Sequence, residues 1–454
     1  MSNIMLILTY LFVCFYYTQI SFNFLFCEEV ELSKTQNPCT AGKSCGECIK
    51  SPYECAWCQI EEYGLDGKSR CDFSRNLTER GCEISKIIDP SNYIHIIINK
   101  PLGHYGTMEN FVQIAPQALK IGMRPKTQLT FKVKFRRVKD YPMDLYYLMD
   151  LSNPVEDYKK HLARLGDLLR ESTINITSDF RVGFGSFVDR AVMPNASVAP
   201  VKWGNSYKNH VSLTRDIYRF ADEIKKTLVS RNSDAPEGGG SDAILQAIAC
   251  RDEIGWRYKA RKLLIFLTDS FHFGRDGNRG GIAKPNDGEC HLDRNGDYTR
   301  STVQDYPSVN QIIRKVRENS VNIIFATTGE QWTAYQKFSK ILEGSAVCQL
   351  TNDSSNIVEL IKDNYNKITS KVELLDNALP NITISYESSC LETKSRKTKL
   401  CEGLKVGDTV TFDVTINMES CLKDNVFHLK INPVGMNEVI NIKLESICHC
   451  AIFP

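Results

Sequence analysis

The chain has 454 residues, 42% hydrophobic and 24% charged, and its 56 Lys and Arg against 54 Asp and Glu leave a formal charge of +2. That length exceeds one ordinary core and suggests about three folded units. The balanced charge offers no basic field for nucleic acid, so recognition is expected to depend on a local site.

In chain order, Ile4 to Phe26 is apolar or aromatic without charge, and 1–27 reads as a secretory signal peptide. Its length also admits an uncleaved anchor, and no later stretch is apolar enough to span a bilayer. Seventeen cysteines point to an oxidising compartment. Seven lie between Cys39 and Cys82 and five between Cys390 and Cys450, which predicts small stapled modules at both ends of a larger core. Sequons at Asn76, Asn175, Asn195, Asn352 and Asn381 fit glycosylation.

Residues 36–83 form the first cysteine-rich module. Its CxxC spacings, Cys45–Cys48 and Cys55–Cys58, also fit a zinc knuckle, but an odd number of cysteines behind a leader favours disulfides with one distant partner. Residues 84–138 carry strand patterns at Tyr93–Asn99 and Leu129–Val133. Residues 376–447 carry others at Ile382–Tyr386, Thr409–Ile416 and Val439–Leu444. Both blocks predict antiparallel strands of one β-sandwich.

Between them, 139–375 alternates differently. Leu145–Met149, Val182–Val188, Leu263–Leu267 and Val321–Ala326 are short apolar runs of buried-strand type. Helical patterns cover Asp157–Arg170, Ile312–Glu318 and Ile357–Ile368. The alternation predicts an α/β doubly wound, mostly parallel sheet inserted into the sandwich.

Three of these strands run into acids: Asp150, Asp189 and Thr268-Asp269. Ligands of an open parallel sheet bind beyond the carboxyl ends of its strands. Carboxylates gathered there repel one another unless a cation intervenes, and hard divalent ions favour carboxylate, hydroxyl and carbonyl oxygens. Ser152 adds a hydroxyl; Asn232, Asp234 and Glu237 add oxygens among turn-forming Pro and Gly. The same residues also have plainer readings. Asn153-Pro154-Val155-Glu156 is a good helix start, and Asn232, Asp234 and Pro236 are ordinary turn formers.

The segments DYPMDLYYLMDLS, GFGSFVDR, SRNSDAPEGGGSDAI, IGWR, LLIFLTD and KPNDGEC, in this order, resemble the I-like (von Willebrand A-type) domain of integrin beta subunits. CAWC and its neighbouring cysteines resemble the plexin–semaphorin–integrin module, and GLKVGDTVTF resembles the hybrid domain. The resemblance covers about 36–454, with 448–454 as the start of an EGF-like region. It implies the pairs Cys39–Cys55, Cys48–Cys71, Cys58–Cys82, Cys250–Cys290, Cys390–Cys401, Cys421–Cys448 and Cys45–Cys450, and it leaves Cys348 as a buried apolar residue.

It further implies a Mg²⁺ site of Asp150, Ser152 and Glu237, with Asp269 acting through water and a ligand's acidic side chain completing the shell. A neighbouring Ca²⁺ site takes Asp189, Asn232, Asp234, the Pro236 carbonyl and Glu237. A regulatory Ca²⁺ site takes the Pro154 carbonyl, Asp157, Asp269 and the Asn352 carbonyl. Implied partners are an integrin alpha subunit in a heterodimer and extracellular proteins bearing an acidic motif. The implied location is the extracellular side of the cell surface, or the medium should the chain end at Pro454.

The departures from the family pattern are specific. Pro154 replaces the second serine of the family's Asp-x-Ser-x-Ser motif, which predicts weaker Mg²⁺ binding. Tyr158 replaces a second Asp of the regulatory site, GGGSDA holds an extra glycine, and no cysteine pair lies between Asp189 and Val211. A soluble or pseudo-receptor with weakened adhesion is therefore the alternative to a full adhesion head. A third reading, a secreted metal-dependent hydrolase using Asp150 and Asp269, finds no motif base, since His272 is an isolated loop histidine.

Overall fold

The computed structural model describes residues 37–51, 54–64, 67, 69–106, 111–151, 177–188, 190, 206–227, 239–269, 271, 284–327, 331–351 and 356–450. The expected helix at Asp157–Arg170 lies outside them. Among the described residues, no helix is long and apolar enough to cross a membrane.

The central domain is a six-stranded sheet. Its order is Tyr207–Thr214, Phe180–Phe187, Met143–Asp150, Arg261–Thr268, Val321–Thr327 and Ala346–Gln349. All neighbours are parallel except Tyr207–Thr214, which pairs antiparallel with Phe180–Phe187. Successive strand residues face opposite sides, and each side here has its own core. Leu145, Tyr147, Met149, Leu263 and Ile265 pack with Phe220, Ile224, Ile357 and Tyr365. Tyr146, Leu148, Leu264 and Phe266 pack with Ile244, Ile248, Ile312 and Tyr335. Helices thus cover both faces, which is why these strands are apolar without alternation.

Flanking segments form two further sheets around one core that includes Leu119, Phe131, Val133, Phe412, Val414, Leu429 and Ile442. Long antiparallel pairing of Thr127–Arg136 with Thr409–Met418 joins the halves before and after the central domain. Two expectations need correction. The strands are not all antiparallel: Ala118–Met123 runs parallel to Ile440–Ser446; these partners come from the two separate halves, so no tight hairpin turn obliges them to run antiparallel. The second half also begins before residue 376, since Val372–Asp376 pairs with Val426–Pro433.

The N-terminal module centres on Cys55–Cys58, paired with Cys71–Phe73 and Ile87–Ile88. Bridges Cys39–Cys55, Cys48–Cys71 and Cys58–Cys82 replace the apolar core that so short a segment cannot build. Cys45–Cys450 ties the module to the far end of the chain. Cys250–Cys290, Cys390–Cys401 and Cys421–Cys448 complete the set, and Cys348 is free and buried. No zinc-type thiolate cluster remains in the module, because its seven cysteines are all oxidised.

Candidate metal centre at the carboxyl edge of the sheet

Asp150 is the last residue of Met143–Asp150 and is 4% exposed. Its position follows from the parallel register: it pairs with Phe187, whose carbonyl accepts the Leu151 N–H at 2.9 Å. On the other flank, Met149 pairs with Leu267, so Thr268 stands beside Asp150. The Thr268 hydroxyl donates to Asp150 Oδ2 at 2.8 Å, which orients the carboxylate. By strand alternation Asp150 and Thr268 share the face of Tyr146, Leu148 and Phe266. Asp269 follows directly and is half-buried. Two acids from neighbouring strands therefore reach the same sheet edge.

The other expected ligands, Ser152, Pro154, Asp157, Asp189, Asn232, Asp234, Pro236, Glu237 and Asn352, lie outside the described residues, as do Tyr158, Asn175, Asn195 and His272. Of the described sequons, the Asn76 amide donates to Asp72 Oδ1 at 2.8 Å, and the Asn381 amide donates to the Ser420 hydroxyl at 3.2 Å. Elsewhere among the described residues, Cys250, Glu253 and Cys290 approach with metal-like spacing. Their two sulfurs are joined in a disulfide, so this cluster holds no metal.

The donor chemistry at the edge suits a hard cation. A carboxylate withdrawn from water is costly without positive charge nearby, and oxygen donors match Mg²⁺ and Ca²⁺. Sequence reading overlooked a second feature here, the buried pair of Arg190 and Asp242. Arg190 directly follows Asp189, and an arginine beside an acid at a strand exit was the available signal.

The central doubly wound domain, with acids at its carboxyl edge, has the von Willebrand A-type fold, and it is set within a two-part sandwich and preceded by a disulfide module. Residues 138–372 match the model described as the integrin beta chain VWA domain, and 37–83 match the integrin plexin domain. Integrin beta-PS of Drosophila melanogaster is 46% identical over 353 residues, covering 75% of this chain and 42% of that protein. Integrin beta pat-3 of Caenorhabditis elegans is 40% identical over 445 residues, covering 92% and 55%. Integrin beta-1 of Gallus gallus is 39% identical over 436 residues, covering 90% and 54%. The chain belongs to the integrin beta family and spans about half the length of the curated relatives it matches.

Proposed function

We propose that this chain is the ligand-facing head of an integrin beta subunit, which pairs with an alpha subunit at the cell surface and binds acidic motifs of extracellular proteins through a divalent cation. The observation that carries the reading is the delivery of Asp150 and Asp269 by neighbouring parallel strands to one sheet edge. Asp150, Ser152 and Glu237 would hold Mg²⁺, with Asp269 acting through water. Asp189, Asn232, Asp234, the Pro236 carbonyl and Glu237 would hold the neighbouring Ca²⁺. The regulatory Ca²⁺ would take the Pro154 and Asn352 carbonyls with Asp157 and Asp269. When bound, the cation supplies an open coordination position for a visiting carboxylate. The chain's own task is to orient its oxygens: Thr268 does so for Asp150 through its hydroxyl. The role is adhesion and not turnover, so no residue is assigned as a catalyst.

Pro154 favours a second reading in which adhesion is weakened. It offers no hydroxyl where the family motif has serine, leaving one position to water. Calorimetric titration of Mg²⁺ into the purified protein, with binding to matrix protein measured in Mg²⁺ and in EDTA, separates the readings. Cation-dependent matrix binding that Asp150→Ala abolishes supports the adhesion head. Alpha-subunit co-purification with weak Mg²⁺ uptake supports the weakened receptor. Matrix binding indifferent to EDTA and to Asp150→Ala refutes both.

A further inference from the structure

The loop closed by the Cys390–Cys401 disulfide carries Lys394, Arg396, Lys397 and Lys399 against one acid, Glu392. This short stretch therefore holds more net positive charge than the formal +2 of the whole chain. All four cations are exposed. Arg396 stands 3.7 Å from Glu392, and that pair is 58% and 61% exposed, so it neutralises little. Lys399 lies 3.3 Å from Glu373. Among the described residues, Lys394 and Lys397 have no ion-pair partner.

A run of cations is ordinarily a flexible, solvated segment. Here the backbone beneath it is pinned at both sheets of the sandwich. Arg396–Lys397 pairs antiparallel with Glu387–Ser388 at the edge of one sheet, and Leu400–Cys401 pairs with Val372–Glu373 at the edge of the other. Between them the Thr398 N–H donates to the Tyr386 carbonyl at 3.0 Å, and the Lys399 carbonyl accepts the Leu374 N–H at 2.9 Å. The disulfide closes the loop behind these contacts. A backbone already ordered lowers the entropic cost of binding. Lysine on an edge strand also discourages pairing with other strands, but Lys394 and Lys399 lie outside the Arg396–Lys397 strand, so that role leaves them unexplained.

A fixed, dense array of cations favours a polyanion, whose condensed counterions are released on contact. The disulfides place this loop in an oxidising, extracellular setting, away from nucleic acid and from the anionic cytoplasmic leaflet of membranes. Sulfated polysaccharide is the dense polyanion of that setting, and its sulfates offer Arg and Lys the same clustered oxygens as phosphate. We propose that the 390–401 loop is a binding site for sulfated polysaccharide. The site is separate from the carboxylate edge and needs no divalent ion.

The test is fluorescence anisotropy of a labelled heparin oligosaccharide with the whole chain, in EDTA so that divalent ions play no part. The loop variant combines Lys394→Gln, Arg396→Gln and Lys397→Gln. A control of equal charge combines Lys43→Gln, Lys225→Gln and Lys423→Gln at exposed positions elsewhere. Thermal melting of each reports folding separately. With all four cations engaged, raising NaCl from about 50 to about 200 mM should weaken wild-type binding roughly 50-fold. The loop variant should bind at least about tenfold more weakly, with a shallower salt dependence, while the control stays within about threefold of wild type. Equal losses in the two variants assign the binding to overall charge and overturn the proposal. So does an absence of heparin binding by wild type at the lower salt. Binding of unsulfated hyaluronan as tight as that of heparin overturns the assignment to sulfate. Loop-dependent binding to phosphatidylserine vesicles without heparin binding assigns a membrane surface instead and also overturns it.

Discussion

Docking of the N-terminal module onto the sandwich should depend on one side chain. Arg124 is 1% exposed, although it belongs to the segment just after Ala118–Met123. Its Nε donates to the Ile49 carbonyl at 3.2 Å and its Nη2 to the Cys55 carbonyl at 2.8 Å, both in the module. Asp89 stands 3.6 Å from Nη1 but is 43% exposed, so that pair adds little. Burial pushes the guanidinium pKa down and Asp89 offsets part of this. Arg124→Met keeps the apolar stem and removes both charged hydrogen bonds, each worth about 1.5–3 kcal/mol. Relief of the desolvated charge offsets part of the loss, leaving a net cost of about 2–4 kcal/mol. Because Cys45–Cys450 tethers the module, the cost should appear as local opening and not as release. Amide exchange followed by mass spectrometry over 45–58 should therefore quicken about 30- to 900-fold at 25 °C. Protection unchanged within about threefold would show that packing and disulfides hold the module, and the hydrogen-bond reasoning would be wrong.

Glu445 gives a pH signature. Burial works to raise its pKa, but hydrogen bonds from Lys443, Tyr93 and Lys120 outweigh this and hold it at about 2, against 4.5 ordinarily. A depressed carboxylate stabilises the fold above pH 4.5 and loses that contribution as pH falls towards 2. Glu445→Gln should therefore melt below wild type at pH 7, and the difference should close by about pH 2. Burial raises the Cys348 thiol pKa to about 12, so iodoacetamide at pH 8 should label it only after denaturation. At Gly435, φ is +68° and an added Cβ would meet Asn322 Oδ1, whereas Gly403 has φ +75° with open space around it. Gly403→Ala should cost about 1 kcal/mol and Gly435→Ala at least about twice that, as denaturant midpoints will show.

Much of this was legible in one dimension. The runs at Leu145–Met149, Leu263–Leu267 and Val321–Ala326 announce buried parallel strands, because a strand covered on both faces needs no polar alternation. Acids at their ends announce the candidate site, since connectivity alone carries Asp150 and Asp269 to the strand tips. Other elements were silent. Tyr207–Thr214 mixes Lys208, Asn209 and His210 into an edge strand, and its polarity hides it.

Local pattern determined which segments would be strands or helices, the oxidised modules at both ends, and the acids at the strand tips, because these depend on neighbours in sequence. Tertiary structure alone decided that Ala118–Met123 lies parallel to Ile440–Ser446, that Arg124 plugs the N-terminal module, and that Arg190 meets Asp242. Each joins residues 52 to more than 300 positions apart, and the outcome depends on which desolvated groups find partners once the chain has closed on itself.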